Sequence, residues 1–342
     1  MSWCDATWRA TPSRVPFRAG RALRIGLAGC GRIAERAYLP SFRRLPFLRL
    51  EAVIDPCEVR RAGFASFVPK GRAFESTAAC LDEVELDALV VATPPEAHLR
   101  TAMLAVQRGV AVLIEKPLAP GMDGVDRFAA ACRAADVVVA VGFNRRFWRP
   151  VNDLVHALAQ SSRSPARVEL FQSSDPLKWA AVSGSPDALG DLAPHQFDLL
   201  RYLFGRDVAS VAARWVDEQC LEFTAEMEGG VEARARVLSR PGCRVRETVS
   251  LGAYRIDLRS DRCRPGRGMV RLALDGLDAV GRRTRGRPLS ILESHDLQLA
   301  DFADCVMNRR MPRASLADGI AAVRCIAAAR RSAALGGLRV EP

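Results

Sequence analysis

Between Leu23 and Phe143, five short runs rich in valine, isoleucine and leucine alternate with amphipathic stretches, and this alternation constrains the fold more than any other feature of the chain. The runs are LRIGLAGC, LRLEAVID, DALVVAT, VAVLIEK and VVVAVGF. Each reads as a strand buried on both faces. Such strands, separated by helical stretches, build a doubly wound parallel sheet with crossover helices. Residues 1–22 lie outside the pattern and are expected to form an N-terminal arm.

After Phe147 the character changes. PARVELFQSS, VASVAARWV, CLEFTAEM, VEARARVLS and RVRETVSLGAYRIDL follow closely, several with period-two alternation. In VEARARVLS, Val231, Ala233, Ala235 and Val237 fall on one side, and Glu232, Arg234 and Arg236 on the other. A mostly antiparallel sheet with one solvated or self-associating face is expected. A helix at about 187–203 is expected ahead of it, with two more near 292–307 and 314–334. The arginine- and glycine-rich stretch 260–288 reads as loop with one short strand at most. The expected organisation is therefore an α/β chain: an arm over 1–22, a Rossmann domain over 23–147, and an open-faced α/β domain over 148–342.

Composition removes several functions. No apolar run approaches the roughly 20 residues of a membrane helix, and residues 1–22 lack the apolar stretch of a signal peptide. No membrane partner and a cytoplasmic location are expected. The ten cysteines have no C-x-x-C pair or ligand spacing, so neither a disulfide framework nor a metal site is expected. The net charge of +11 is spread along the chain, almost entirely as arginine, without a nucleic-acid-binding motif. No nucleic-acid partner is expected. Lysine is scarce, occurring only at positions 70, 116 and 178.

GLAGCGRIA places Gly29, Gly31 and Ala34 as G-x-G-x-x-A directly after the first strand. There Gly29 permits a tight turn, Gly31 leaves room for a pyrophosphate at a helix N-terminus, and Ala34 allows close helix packing. Arg32 and Ile33, on the same turn, join the expected cofactor contacts. The second strand ends in Asp55, whose carboxylate can accept the adenosine ribose hydroxyls or simply begin the Asp-Pro turn. The acid favours NAD, while Arg60 and Arg61 on the next helix keep NADP open.

With this site in place, further segments resemble the Gfo/Idh/MocA oxidoreductases, from about residue 23 onward. They are AVIDP, VVATPPEAH, IEKP, GFNRRF, DLAPHQFDLLRYLFG and the closing DFADCV and SLADGIAAV. The resemblance implies a bound nicotinamide cofactor and a sugar, cyclitol or related polyol as substrate. It implies hydride transfer to or from a secondary alcohol or ketone, and self-association as a homodimer or homotetramer through the open sheet. The same fold also serves NAD-dependent glycoside cleavage and ligand-sensing regulators. One departure stands out: the family's D-x-G-x-H is here Asp191-x-Ala193-x-His195, an extra methyl expected to narrow the pocket.

The resemblance carries site residues with it. Lys116, at a strand's carboxyl end, corresponds to the family's lysine on the reacting oxygen, and its peptide to Pro117 is often cis in the family. Asp191 and His195 lie four apart near the start of a predicted helix, which would put them on one face about 5–6 Å apart at Cβ. Histidine takes or returns the hydroxyl proton, with the aspartate orienting its ring. Thr93, Pro94, His98 and Glu115 are expected to line the cofactor. Asn144, Arg145, Lys178 and Trp179 are expected to contact substrate, and Arg146 and Phe147 to pack between domains. His156 and His295 sit in amphipathic helical stretches with no evident partner.

Overall fold

The computed structural model of the chain describes residues 21–161, 165–178, 187–251, 254–257, 263–265 and 291–342. These fall into two compact units, which divide the chain at Asn144/Arg145, Ile291/Leu292 and Ile320/Ala321.

The first unit holds a six-stranded sheet in the order β3-β2-β1-β4-β5-β6. Its strands are β1 (Leu23–Ala28), β2 (Leu48–Ile54), β3 (Ala73–Phe74), β4 (Ala88–Val91), β5 (Ala111–Ile114) and β6 (Val139–Val141). Every neighbouring pair is parallel. The order reverses between β1 and β4, which makes their carboxyl ends the place where such sheets bind ligands. The five strands expected from the apolar runs are present, and β3 is added. Two residues are too few to show a period, and β3 exists because β2 offers it a free edge. Crossovers are made by a π-helical segment (Ala34–Tyr38) leading into α1 (Leu39–Arg44), then α2 (Glu58–Phe64), α3 (Thr77–Glu83), α4 (Pro95–Val106) and α5 (Val125–Ala135).

A later segment completes this unit. α9 (Ile291–Asn308) returns to it, and Leu299, Phe302 and Ala303 bury themselves in the cluster built on Ile25, Leu27, Val90 and Leu113. Beyond α9, Ala140 and Ser315 form an antiparallel bridge that covers the edge of β6. Helical periodicity shows that a segment has an apolar face but not which sheet receives it. That is why residues 292–320 read as part of the C-terminal domain yet belong with the first.

The second unit carries a seven-stranded sheet, β13-β12-β11-β7-β10-β9-β8. Its strands are β7 (Arg167–Ser174), β8 (Val208–Asp217), β9 (Cys220–Met227), β10 (Glu232–Ser239), β11 (Arg246–Leu251), β12 (Tyr254–Asp257) and β13 (Cys263–Pro265). Only β7 and β10 pair parallel. α6 (Arg149–Gln160), α7 (Ala188–Asp191), α8 (Ala193–Phe204) and part of α10 (Leu316–Ala334) bury one face, and Phe197 stacks on Phe223 at 4.5 Å. In β10, Ala233, Ala235 and Val237 are buried while Arg234 and Arg236 are exposed, as the alternation requires. The helical segment does not precede the sheet as expected: β7 comes before it, and the intervening chain is the crossover that a parallel β7–β10 pair demands. The opposite face holds a concavity of about 600 Å³ lined by Phe171, Thr224 and crossed ion pairs such as Arg214–Glu222 at 2.7 Å and Arg236–Glu222 at 3.4 Å. Among the described residues no helix is long and apolar enough to cross a membrane.

Arg146 was expected between domains but pairs within the second unit. Its guanidinium meets Asp198 of α8 at 2.6–3.1 Å and lies over the Tyr202 ring, with both charged side chains buried. Asp198→Ala leaves that cation buried without its carboxylate and is expected to cost about 3–5 kcal/mol in urea unfolding. Replacing both, Arg146→Met with Asp198→Leu, is expected to recover most of the loss.

Candidate active site

The glycine turn is set by how closely it approaches β4. Gly29 has φ +96°, and a Cβ there would lie 2.4 Å from the Ala92 carbonyl oxygen and 2.8 Å from the Thr93 nitrogen. Both conformation and space therefore demand glycine. Gly31 is different: nothing lies within 4 Å of where its Cβ would be. That space stands at the N-terminus of the helix running into Ala34–Tyr38, whose first N–H groups have no intrahelical acceptor. An open volume at a helix N-terminus fits a pyrophosphate. Arg32 and Ile33 follow, both half-buried, and Ala34 is fully buried.

Asp55 ties β2 to this turn. One carboxylate oxygen accepts the Cys30 N–H at 2.8 Å, and the other accepts the Cys57 N–H at 2.8 Å. The turn-forming role is thus realised, and each oxygen keeps a second lone pair for a hydroxyl donor. Arg61 folds back to donate to the Asp55 carbonyl at 2.6 Å and is used locally, while Arg60 is exposed. Burial, reinforced by the Asp55 carboxylate, pushes the Cys30 thiol up to about 12, so it remains a neutral packing group.

At the end of β5, Glu115 is held by a group far away in sequence and in turn holds Lys116. The buried Tyr38 hydroxyl donates to Glu115 Oε1 at 2.7 Å, and the Lys116 N–H donates to Oε2 at 3.0 Å. Burial, with the neighbouring carboxylate, keeps the Tyr38 phenol well above its ordinary pKa and so always a donor. A Cβ on Gly142 would lie 2.8 Å from Glu115 Oε2 and 3.0 Å from the Lys116 nitrogen, so glycine lets β6 close on the strap. Lys116 itself is half-buried, and the Lys116–Pro117 peptide is cis. His98 of α4 is buried, its Nδ1 2.8 Å from the Pro117 carbonyl and its Nε2 2.8 Å from the Thr93 carbonyl. With both ring nitrogens on backbone, His98 holds this region through the chain. Thr93 is half-buried and Pro94 exposed at the start of α4.

Sequence reasoning missed Tyr38, which lies 77 residues from its partner, beyond the reach of any local pattern. His295 has an aromatic neighbour that sequence did not reveal, packing edge-on against Tyr38 at 5.9 Å.

In the second unit, Asp191 and His195 do not share one helix. α7 ends at Asp191 and α8 starts at Ala193, because Pro194 has no N–H to continue the ladder, and the His195 N–H bonds Leu192 at 3.2 Å instead. Asp191 is half-buried and His195 buried. Ala193 is fully buried in the apolar cluster with Phe197, so its methyl fills core. Arg145 grips the buried Glu247 at 3.2–3.3 Å and lies over Trp148, while Asn144, in the first unit, donates to Ser294 at 3.1 Å. These two of the four expected substrate residues thus also make internal contacts. Phe147 is buried, and Gln196 reaches Gln172 at 2.6 Å. Lys178 closes a 3₁₀ turn, Pro176–Lys178, and Trp179 lies outside the described residues. Among the described residues no group of three or more His, Cys, Asp or Glu side chains is placed to hold a metal.

Residues 23–143 match the family model described as "Oxidoreductase family, NAD-binding Rossmann fold" (GFO_IDH_MocA). Myo-inositol 2-dehydrogenase of Thermotoga maritima is 28% identical over 195 residues, 56% of this chain and 58% of that protein. Inositol 2-dehydrogenase 4 of Saccharopolyspora erythraea is 31% identical over 201 residues, 57% of this chain and 58% of that protein. The match thus spans 58% of the length of each of these relatives. Among solved structures, the fold is shared with scyllo-inositol dehydrogenase from Lactobacillus casei with bound NAD(H) and scyllo-inositol, at TM-score 0.77, 14% identity and coverage of 94% of this chain and 99% of that one. The WlbA dehydrogenase from Bordetella pertussis, in complex with NADH and UDP-GlcNAcA, has TM-score 0.79, 21% identity and coverage of 94% and 98%.

The two glycines are expected to fail differently. Gly31→Ala folds like the parent but loses NAD affinity about tenfold or more, because its methyl takes pyrophosphate space. Gly29→Ala loses stability itself. Thermal melts and fluorescence titration with NADH separate the two.

Proposed function

We propose that this chain, whose residues 23–143 match the family model of the Gfo/Idh/MocA oxidoreductases, is an NAD-dependent dehydrogenase or ketoreductase acting on a secondary alcohol or ketone of a cyclitol, sugar or related polyol. One observation carries this reading: the carboxyl ends of β1, β2, β4 and β5 gather the Gly29–Gly31 turn, Asp55, Thr93 and the Glu115–Lys116 strap on one sheet. The cyclitol class rests on the names of the matched relatives.

The bound nicotinamide supplies the hydride acceptor or donor. In the oxidative direction Lys116 is assigned the hydrogen bond to the reacting oxygen; in the second unit, taken by itself, His195 is assigned the part of proton acceptor. Asp55 repels a 2′-phosphate, and Arg61 is committed to a backbone carbonyl, so NAD is preferred over NADP. The unpaired thiols of the described residues suit a reducing, cytoplasmic setting.

A panel of inositols, polyols and ketosugars, followed by nicotinamide absorbance, tests the reading. Net NADH formation with at least one cyclitol or sugar is expected. Glycoside cleavage without net NADH, or ligand binding without turnover, would replace it. Lys116→Met and His195→Ala are each expected to lower turnover by about 10²- to 10⁴-fold with NAD binding retained.

The open face of the second sheet, with its cross-strand ion pairs and exposed Arg234, supports self-association there. Light scattering at micromolar concentration is expected to give a multiple of 37.3 kDa. A monomer throughout would remove the proposal.

A further inference from the structure

His98 lies where the ends of two strands must be held at a fixed separation. Thr93 follows β4 and Pro117 follows β5, and the ring spans their carbonyl oxygens with 2.8 Å contacts on both sides. It is 1% exposed. Pro117 is the residue after Lys116, whose own N–H is pinned by Glu115 at 3.0 Å. The Lys116 backbone is thereby fixed from both directions, by Glu115 and Tyr38 before it and by His98 after it. We propose that His98 is a positioning residue for Lys116, setting where the lysine side chain starts by bridging the Thr93 and Pro117 carbonyls. The inference rests on the dehydrogenase reading for its kinetic consequence but not for its geometry.

The chemistry of the ring sharpens the proposal. A neutral imidazole has one N–H and serves one carbonyl, whereas an imidazolium serves both. Burial lowers the tendency of His98 to charge, while the two carbonyls and the carboxylates of Glu115 and Glu96 oppose that effect, burial being the stronger. A neutral ring therefore donates to one carbonyl only, and the second hydrogen bond forms when the ring takes up a proton, as pH falls below the ordinary histidine range.

The test uses the scarcity of lysine. Reductive methylation with ¹³C labels Lys70, Lys116, Lys178 and the N-terminus, a spectrum in which Lys116→Met assigns the Lys116 signal. In His98→Leu the Lys116 resonance and its titration are expected to move while the signals of Lys70 and Lys178 stay. In the same variant kcat is expected to fall about 10- to 100-fold with KM for the polyol within about threefold. His98→Gln keeps an amide donor for one carbonyl and should fall between the two in both readouts. If His98→Leu fails to fold, His98→Gln carries the test. A parental Lys116 titration together with parental kcat in the variant that folds overturns the proposal. Should the parent turn over none of the substrates, the dehydrogenase reading fails, and the Lys116 resonance still decides whether His98 positions the lysine.

Discussion

The contact on which the first unit depends is the approach of the Gly29 backbone to the carbonyl of Ala92. β1 and β4 are hydrogen-bonded neighbours at the point where strand order reverses, and the turn leaving β1 must clear the end of β4 within a distance no side chain permits. Once the turn is made, Gly29 N–H bonds Ile54 and Cys30 N–H bonds Asp55, so three strand ends come into register around one loop. Removing the Cβ at this one position is what brings helix N–H groups, a carboxylate and the β4 loop together.

The neighbouring strap is built on a different principle. Lys116 is placed through its flanking residues: its own N–H is held by Glu115, whose carboxylate takes the Tyr38 hydroxyl, and the Pro117 carbonyl meets the His98 ring. A buried carboxylate with two donors and a buried imidazole between two carbonyls are costly to form imperfectly and stiff once formed. That stiffness gives a long, rotamer-rich lysine side chain a defined origin.

How legible all this was depends on the range of the interaction. The parallel strands, the glycine turn and the alternation in β10 are local patterns, and each was readable because its cause lies within a few residues. The Tyr38–Glu115 bond, the pairing of Arg146 with Asp198 and the return of α9 join distant parts of the chain, and one sequence contains no record of them. His98 was visible as a residue near the site, but its action through two carbonyls was not. The break between Asp191 and His195 was missed for another reason: the four-residue spacing was applied across a proline that interrupts the ladder. Asn144 and Arg145 were expected at the substrate from their place in the chain, and what only the structure adds is that their side chains also meet Ser294 and Glu247.

The contribution of residues 292–320 to the first unit has a consequence during synthesis. The strands of the parallel sheet leave the ribosome early, while Leu299, Phe302 and Ala303, which cover part of their apolar surface, are made only after the whole stretch 145–291. At ordinary elongation rates that delay is on the order of ten seconds. For that interval the nascent sheet presents an uncovered hydrophobic face and an unbridged edge at β6, and it is then that the polypeptide is most exposed to aggregation and most in need of a chaperone.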